Sequence, residues 1–265
     1  RRRLELRGGA LGGSLFYCTA CGHESAKWLG QCPGCGAWNS YVEAPAARVR
    51  KSVAVPSRGA RAVPITDAAT APTVRRASGL EGLDRVLGGG LVPGSLLLLA
   101  GEPGIGKSTL VLQVAAALAA SAGPVVYVTG EESAEQVALR GSRLAALHPN
   151  LLLLPETSCE AVLAQLAAIE PTLVVVDSVQ TAVVDGIDAV AGSVSQVRQV
   201  AARFQHYAKT HGVPVILVGH VTKDGSIAGP KLLEHLVDVV MSLEGEPGHD
   251  LRALRAAKNR FGTVA

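Results

Sequence analysis

The sequence predicts an α/β fold, a mostly parallel sheet covered by helices, preceded by a small four-cysteine module. From residue 74 onward short apolar runs alternate with amphipathic, Ala-rich segments, the pattern of strands joined by crossover helices. Hydrophobic residues make up 48% of the chain but aromatics only 3%, so a large core must be assembled from Leu, Val, Ile and Ala, which suits strands buried on both faces. Four of the five cysteines fall between positions 18 and 35. That clustering does not match the spread framework of a secreted disulfide scaffold and predicts a reducing, cytoplasmic setting.

At 265 residues the chain can hold one sizeable domain and an appendage. In order, we expect a disordered Arg- and Gly-rich tail (1–16), a metal-binding module (17–44), a flexible basic linker (45–73) and the α/β domain (74–265). In and just after the linker, Arg48, Arg50, Lys51, Arg58, Arg61, Arg75 and Arg76 are opposed only by Asp67. The net charge of +3 hides an asymmetry: residues 1–100 carry 13 basic against 6 acidic side chains, and the remainder 12 against 16. A basic front half suits a polyanionic partner, and a solvated linker accounts for it equally well. The longest apolar runs, such as 96–100 and 173–176, fall far short of the roughly 20 residues a membrane helix needs, so no membrane association is expected.

Strands are expected at 95–100, 125–129, 151–154, 173–177, 213–219 and 237–243, and helices at 107–121, 134–147, 159–169 and 193–211. Cys159, at the start of one helix and with no histidine near it in sequence, reads as a small core residue.

After the first of these strands comes Gly101-Glu102-Pro103-Gly104-Ile105-Gly106-Lys107-Ser108-Thr109. This is the Gly-x4-Gly-Lys-Ser/Thr pattern in its required setting between a strand and a helix. Glycines let successive backbone N–H groups face one anion, the helix adds its positive end, Lys107 reaches terminal phosphates, and Ser108 can ligate magnesium. The chemistry indicated is nucleotide binding. Asp177 closes the strand 173–177 and in such a fold lies beside the magnesium. Glu131 and Glu132 follow the strand 125–129 at the same sheet edge. Glu131 is the candidate base for an attacking water, while Glu132 reads better as a carboxylate favouring the next helix N-terminus.

Cys18-x2-Cys21 and Cys32-x2-Cys35 form two knuckles ten residues apart, each followed by glycine. Four thiolates close a tetrahedral shell, and zinc in a structural role is the expected occupant. Two disulfides or an iron–sulfur centre are the alternatives. Trp28 and Trp38 are expected to cover the core of so small a module, with base stacking as their alternative use.

The stretch 18–36, the approach Leu83-Asp-Arg-Val-Leu-Gly-Gly-Gly-Leu-Val-Pro-Gly-Ser95, the phosphate loop and the closing Lys258-Asn-Arg-Phe-Gly262 together resemble the bacterial RadA (Sms) family of DNA-repair proteins. The resemblance covers residues 17–262. It implies a RecA-like P-loop ATPase core behind a four-cysteine zinc ribbon, using ATP, Mg²⁺ and Zn²⁺. It also implies hexameric rings, binding to single-stranded and branched DNA, a recombinase partner and helicase-like branch migration in recombination.

Residue by residue, the resemblance assigns phosphate binding to Lys107, Ser108 and Thr109, catalysis to Glu131 and magnesium binding to Asp177. It makes His220 a sensor of the terminal phosphate and Lys223 a DNA contact. Read alone, these two are a satisfied strand-end histidine and a solvated turn charge. Lys258 and Arg260, on one short loop, would reach a neighbouring subunit's nucleotide. A basic turn or a DNA phosphate contact is the plainer reading of that pair. The family continues into a domain resembling the Lon protease fold, which these 265 residues do not include. A regulatory ATP-dependent switch or adaptor without motor activity is the alternative function.

Overall fold

The computed structural model describes residues 16–19, 24–25, 27–43, 62, 64–68, 74–187, 189–220, 233–245 and 251–264. Packing divides the chain into two units, Arg1–Ala62 and Val63–Ala265. Residues 1–15 of the expected tail, Cys21 and Lys223 lie outside the described residues, as does most of the expected linker, whereas Phe16, expected in the tail, belongs to a strand.

In the first unit, β1 (Phe16–Cys18) pairs antiparallel with β2 (Glu24–Ser25) on one side and β3 (Tyr41–Glu43) on the other. Its buried centre is Cys18, Cys32 and Tyr41, with Phe16 and Leu29 packed against them. The tryptophans are not in it. Trp28 is 51% and Trp38 70% exposed, which corrects the expectation that they form the core. Trp28 is held at the rim, its indole Nε1–H donating to the Tyr41 carbonyl at 3.0 Å. Tyr41 is the aromatic ring that fills the centre beside Cys18 and Cys32, and both indoles lie outside it.

The second unit begins with a single turn, α1 (Ile65–Ala68), within the segment expected to be linker, and then α2 (Glu81–Leu87). It continues through β4 (Leu96–Gly101), α3 (Lys107–Ser121), β5 (Val125–Thr129), α4 (Ala134–Arg143), β6 (Leu151–Pro155), α5 (Cys159–Ile169) and β7 (Leu173–Asp177). The last described elements are α6 (Val194–His211), β8 (Val215–His220), β9 (Val239–Gly245) and β10 (Arg252–Asn259). The seven strands line up as β10-β9-β4-β8-β7-β5-β6, parallel throughout except for the antiparallel β9–β10 pair.

Because successive strand side chains point to opposite faces, the apolar runs feed two cores. Leu96, Leu98 and Ala100 of β4 join Val162 and Leu166 of α5 and Val197 and Phe204 of α6. Leu97 and Leu99 join Leu83 of α2 and Leu112 and Leu118 of α3. At roughly 2 kcal/mol for each fully buried Leu or Val, these double-sided strands dominate the fold's stabilisation and hold the sheet edge rigid.

The helix expected over 134–147 stops at Arg143. Ala145 adopts a positive φ of 52° and the Ala146 N–H turns back to the Gly141 carbonyl at 2.8 Å. Strand β10 was not expected, because it is an edge strand bearing Arg252, Arg255 and Lys258 instead of an apolar run. Lys258 therefore lies in a strand, with only Arg260 in the turn after it, and not both on a loop. Arg75 and Arg76 are docked as well: Arg75 donates to the carbonyls of Leu87 and Phe261 at 2.9 and 2.5 Å, and Arg76 to that of Thr172 at 2.8 Å.

Candidate functional site

Parallel register brings the C-terminal ends of four strands to one edge. Gly101 of β4 lies opposite His220 of β8, and Thr129 of β5 opposite Asp177 of β7. The phosphate loop leaves from Gly101, where a Cβ would lie 2.5 Å from the Leu243 carbonyl of β9, so only glycine fits. Gly104 and Gly106 take φ of 78° and 108°, the left-handed region that leaves the loop's N–H groups free to turn inward. Gly106 is the N-cap of α3. Glu102, Pro103 and Gly104 are exposed, and Ile105, Ser108 and Thr109 are half-buried.

Lys107 is 3% exposed. Its Nζ donates to the carbonyls of Gly101 and Glu102 at 2.9 and 2.8 Å. Burial lowers its pKa, opposed by the nearby carboxylates of Asp177 and Glu131. Neutral carbonyls are weak partners for an ammonium compared with phosphate oxygens, so this lysine is poised to exchange them for an anion.

Asp177 is 9% exposed and accepts a hydrogen bond of 2.5 Å from the hydroxyl of Tyr127 at Oδ2. Burial, then the adjacent Asp177 carboxylate, drives the Tyr127 hydroxyl's pKa far upward, so it stays a donor. The contact fixes the carboxylate and leaves Oδ1 for another ligand.

Glu131 is held in two ways. The Ser178 hydroxyl donates to its Oε1 at 2.7 Å, and Nε2 of His220 lies 3.7 Å from the same oxygen. The turn that carries it is pinned from below, since the Gly130 N–H donates to the Asp177 carbonyl at 3.1 Å and a Cβ on Gly130 would strike Thr181 Oγ1 at 2.2 Å. Gln180 donates to the His220 carbonyl at 3.4 Å. Among the described residues, Nδ1 of His220 and Oε1 of Gln180 are buried without a hydrogen-bond partner, a cost that a polar ligand group at this edge would relieve.

Glu132 behaves differently. Its carboxylate lies 2.6 Å from Arg140 of α4, and its carbonyl accepts from Thr129 Oγ1 at 2.8 Å. The helix N-terminus itself is closed by a capping box between Ser133 and Gln136. Glu132 is a structural carboxylate.

Thus Lys107, Glu131, Asp177 and His220 meet, together with the phosphate loop. Tyr127, Ser178 and Gln180 complete the cluster and were not anticipated. Their role depends on β5, β7 and β8 being neighbours, which strand patterns alone do not disclose. Lys258 and Arg260 are not brought to this cluster. Lys258 Nζ donates to the carbonyls of Glu234 and Val237, and Arg260 Nη1 pairs with Asp238 at 3.1 Å. Asp238 also accepts from the Leu96 N–H at 2.9 Å, at the opposite end of β4. The five steps from Leu96 to Gly101 along β4, at roughly 3.3 Å each, separate the two ends by about 16 Å.

Cys159 is 1% exposed and its thiol is pushed up to about 12, mainly by burial and then by Glu160, so it is a core residue and not a nucleophile.

In the first unit the sulfurs of Cys18, Cys32 and Cys35 lie within 4.8 Å of one another. Cys18 Sγ and Cys35 Sγ are 3.7 Å apart, close to the roughly 3.8 Å edge of a tetrahedron with 2.3 Å metal–sulfur bonds. The Gly34 N–H and the Tyr41 hydroxyl donate to Cys32 Sγ at 3.4 and 3.7 Å, as suits a thiolate ligand. These residues fit a metal.

Comparison with known proteins agrees with this geometry. Residues 66–226 match the AAA domain family and residues 16–43 the rubredoxin metal binding domain. DNA repair protein RadA of Bacillus subtilis (strain 168) is 50% identical over 256 residues, which covers 95% of this chain and 56% of that protein. DNA repair protein RadA of Listeria monocytogenes is 48% identical over 251 residues, covering 94% and 55%. The chain thus spans a little over half the length of these relatives. By its matching family model the chain belongs to the AAA domain family, and by sequence it is kin to the bacterial proteins named DNA repair protein RadA.

Proposed function

We propose that the chain is a DNA-dependent ATP hydrolase of recombinational DNA repair. The observation that carries the hydrolase reading is the convergence of Lys107, Asp177, Glu131 and His220 on one sheet edge above a phosphate loop. The name its relatives carry supports the link to DNA repair.

In this reading the loop amides and α3 receive the nucleotide's phosphates, and Lys107 leaves its two carbonyls for the terminal phosphates. Ser108 and Asp177 would hold Mg²⁺, with Tyr127 keeping the Asp177 carboxylate in place. When bound, the cation neutralises phosphate charge. Glu131 accepts the proton of the attacking water, and Ser178 orients its carboxylate. His220 senses the terminal phosphate at the end of β8.

The finer reading is helicase-like branch migration on single-stranded or branched DNA by a hexameric ring, alongside a recombinase. Lys223 would contact DNA, and Lys258 or Arg260 would reach a neighbouring subunit's nucleotide. In the small module Cys18, Cys21, Cys32 and Cys35 would hold a structural zinc.

Steady-state ATP hydrolysis with and without single-stranded DNA, followed through a salt titration, tests the reading. We expect stimulation that fades as salt displaces phosphate contacts. Hydrolysis indifferent to DNA at every salt concentration would replace the motor by a nucleotide switch.

A further inference from the structure

Strand β10 starts beside the phosphate loop. Its first residue, Arg252, pairs across the ladder with Gly245, the last of β9. Both abut the loop. A Cβ built on Gly245 would lie 2.9 Å from Ile105 Cδ1, and one on Gly106 would lie 2.9 Å from Nη1 of Arg252 and 3.7 Å from its Cζ. The Arg252 guanidinium therefore occupies the space beside the residue that opens α3.

The charge there is uncompensated among the described residues. Arg260, on the turn after β10, is paired with Asp238, and Arg255 lies 3.9 Å from Glu244. The Arg252 guanidinium has neither an ion pair nor a hydrogen bond to any described group. A cation held against the positive end of a helix, with no counter-ion among the described residues, is disfavoured there. Such an arrangement is relieved by an anion of high charge.

From this geometry we infer that Arg252 is a nucleotide-binding residue that grips the polyphosphate from the β10 side of the loop. The inference rests on the nucleotide reading above and adds a contact within the same subunit. A guanidinium suits the task because its planar fork can donate two hydrogen bonds to phosphate oxygens at once.

The test is equilibrium binding of fluorescently labelled ADP, and of pyrophosphate by competition, to the full chain and to Arg252→Ala, Arg252→Lys and Lys107→Ala. We expect Arg252→Ala to weaken both ligands roughly tenfold, as loss of a charge-assisted contact does. Arg252→Lys should restore part of the loss, and the salt dependence should be shallower in the alanine variant. Because Arg252 is exposed, the variants should melt at the wild-type temperature. If Arg252→Ala fails to fold, the affinity of Arg252→Lys decides, and wild-type binding by it with an unchanged salt slope overturns the inference. So does wild-type affinity in Arg252→Ala while Lys107→Ala binds poorly. Loss of ADP but not of pyrophosphate would overturn the assignment to phosphate. Should the wild-type protein bind neither ligand, and Lys107→Ala change nothing, the nucleotide reading itself would fall and this contact with it.

Discussion

At the N-terminal end of β4, Asp238 is saturated with partners. Its 3% exposed carboxylate meets Lys209 at 2.7 Å, Arg260 at 3.1 Å and the Leu96 N–H at 2.9 Å. At the C-terminal end, about 16 Å away by strand rise, Lys107 donates only to neutral carbonyls, Arg252 has no acidic partner among the described residues, and His220 Nδ1 is buried without a hydrogen-bond partner. The same charged residue types serve both ends. Where partners are complete the groups hold the sheet together, and where they are incomplete the deficit matches a ligand.

The largest effect should come from breaking the saturated end. Asp238→Ala would strand the Leu96 N–H inside the core and leave two cations without their acid. Since Lys209 and Arg260 are about half-exposed, water recovers part of their cost, and we expect a loss of about 3 kcal/mol in urea unfolding. Asp238→Asn keeps an acceptor for the amide and should cost less than half as much. If both variants are as stable as wild type, the contrast between the two ends collapses.

A smaller effect is expected at the site. Ser178→Ala removes one donor to Glu131 without touching the phosphate loop, and should lower kcat roughly tenfold while ATP affinity stays within twofold. Ser178→Thr retains the hydroxyl and should recover most of the rate. Equal losses in the Ala and Thr variants would make Ser178 a packing residue only.

The saturated end was the harder one to read from the chain. Its parts are spread from Leu96 to Arg260, and Arg75 and Arg76, counted with a basic linker, turn out to bind backbone carbonyls of the folded domain. Strand β10 escaped notice because an edge strand advertises itself by charge instead of by an apolar run. The open end was legible wherever chemistry is local: a phosphate loop between strand and helix, and Asp177 and Glu131 at the exits of two apolar strands. Tyr127 was hidden for the opposite reason. Inside Val125–Thr129 it looks like one more core residue, and its hydroxyl acquires a role only because β5 lies next to β7. In the small module the cysteine spacing carries the metal reading, but it cannot say that Tyr41, and not Trp28 or Trp38, would fill the centre beside the cysteines.

The most direct measurement is ATP turnover and ATP binding by Glu131→Gln, which keeps the acceptor for Ser178 but removes the base. If this sheet edge performs phosphoryl transfer to water, hydrolysis should fall at least roughly a hundredfold while ATP affinity remains near wild type. Wild-type turnover in that variant would contradict the account.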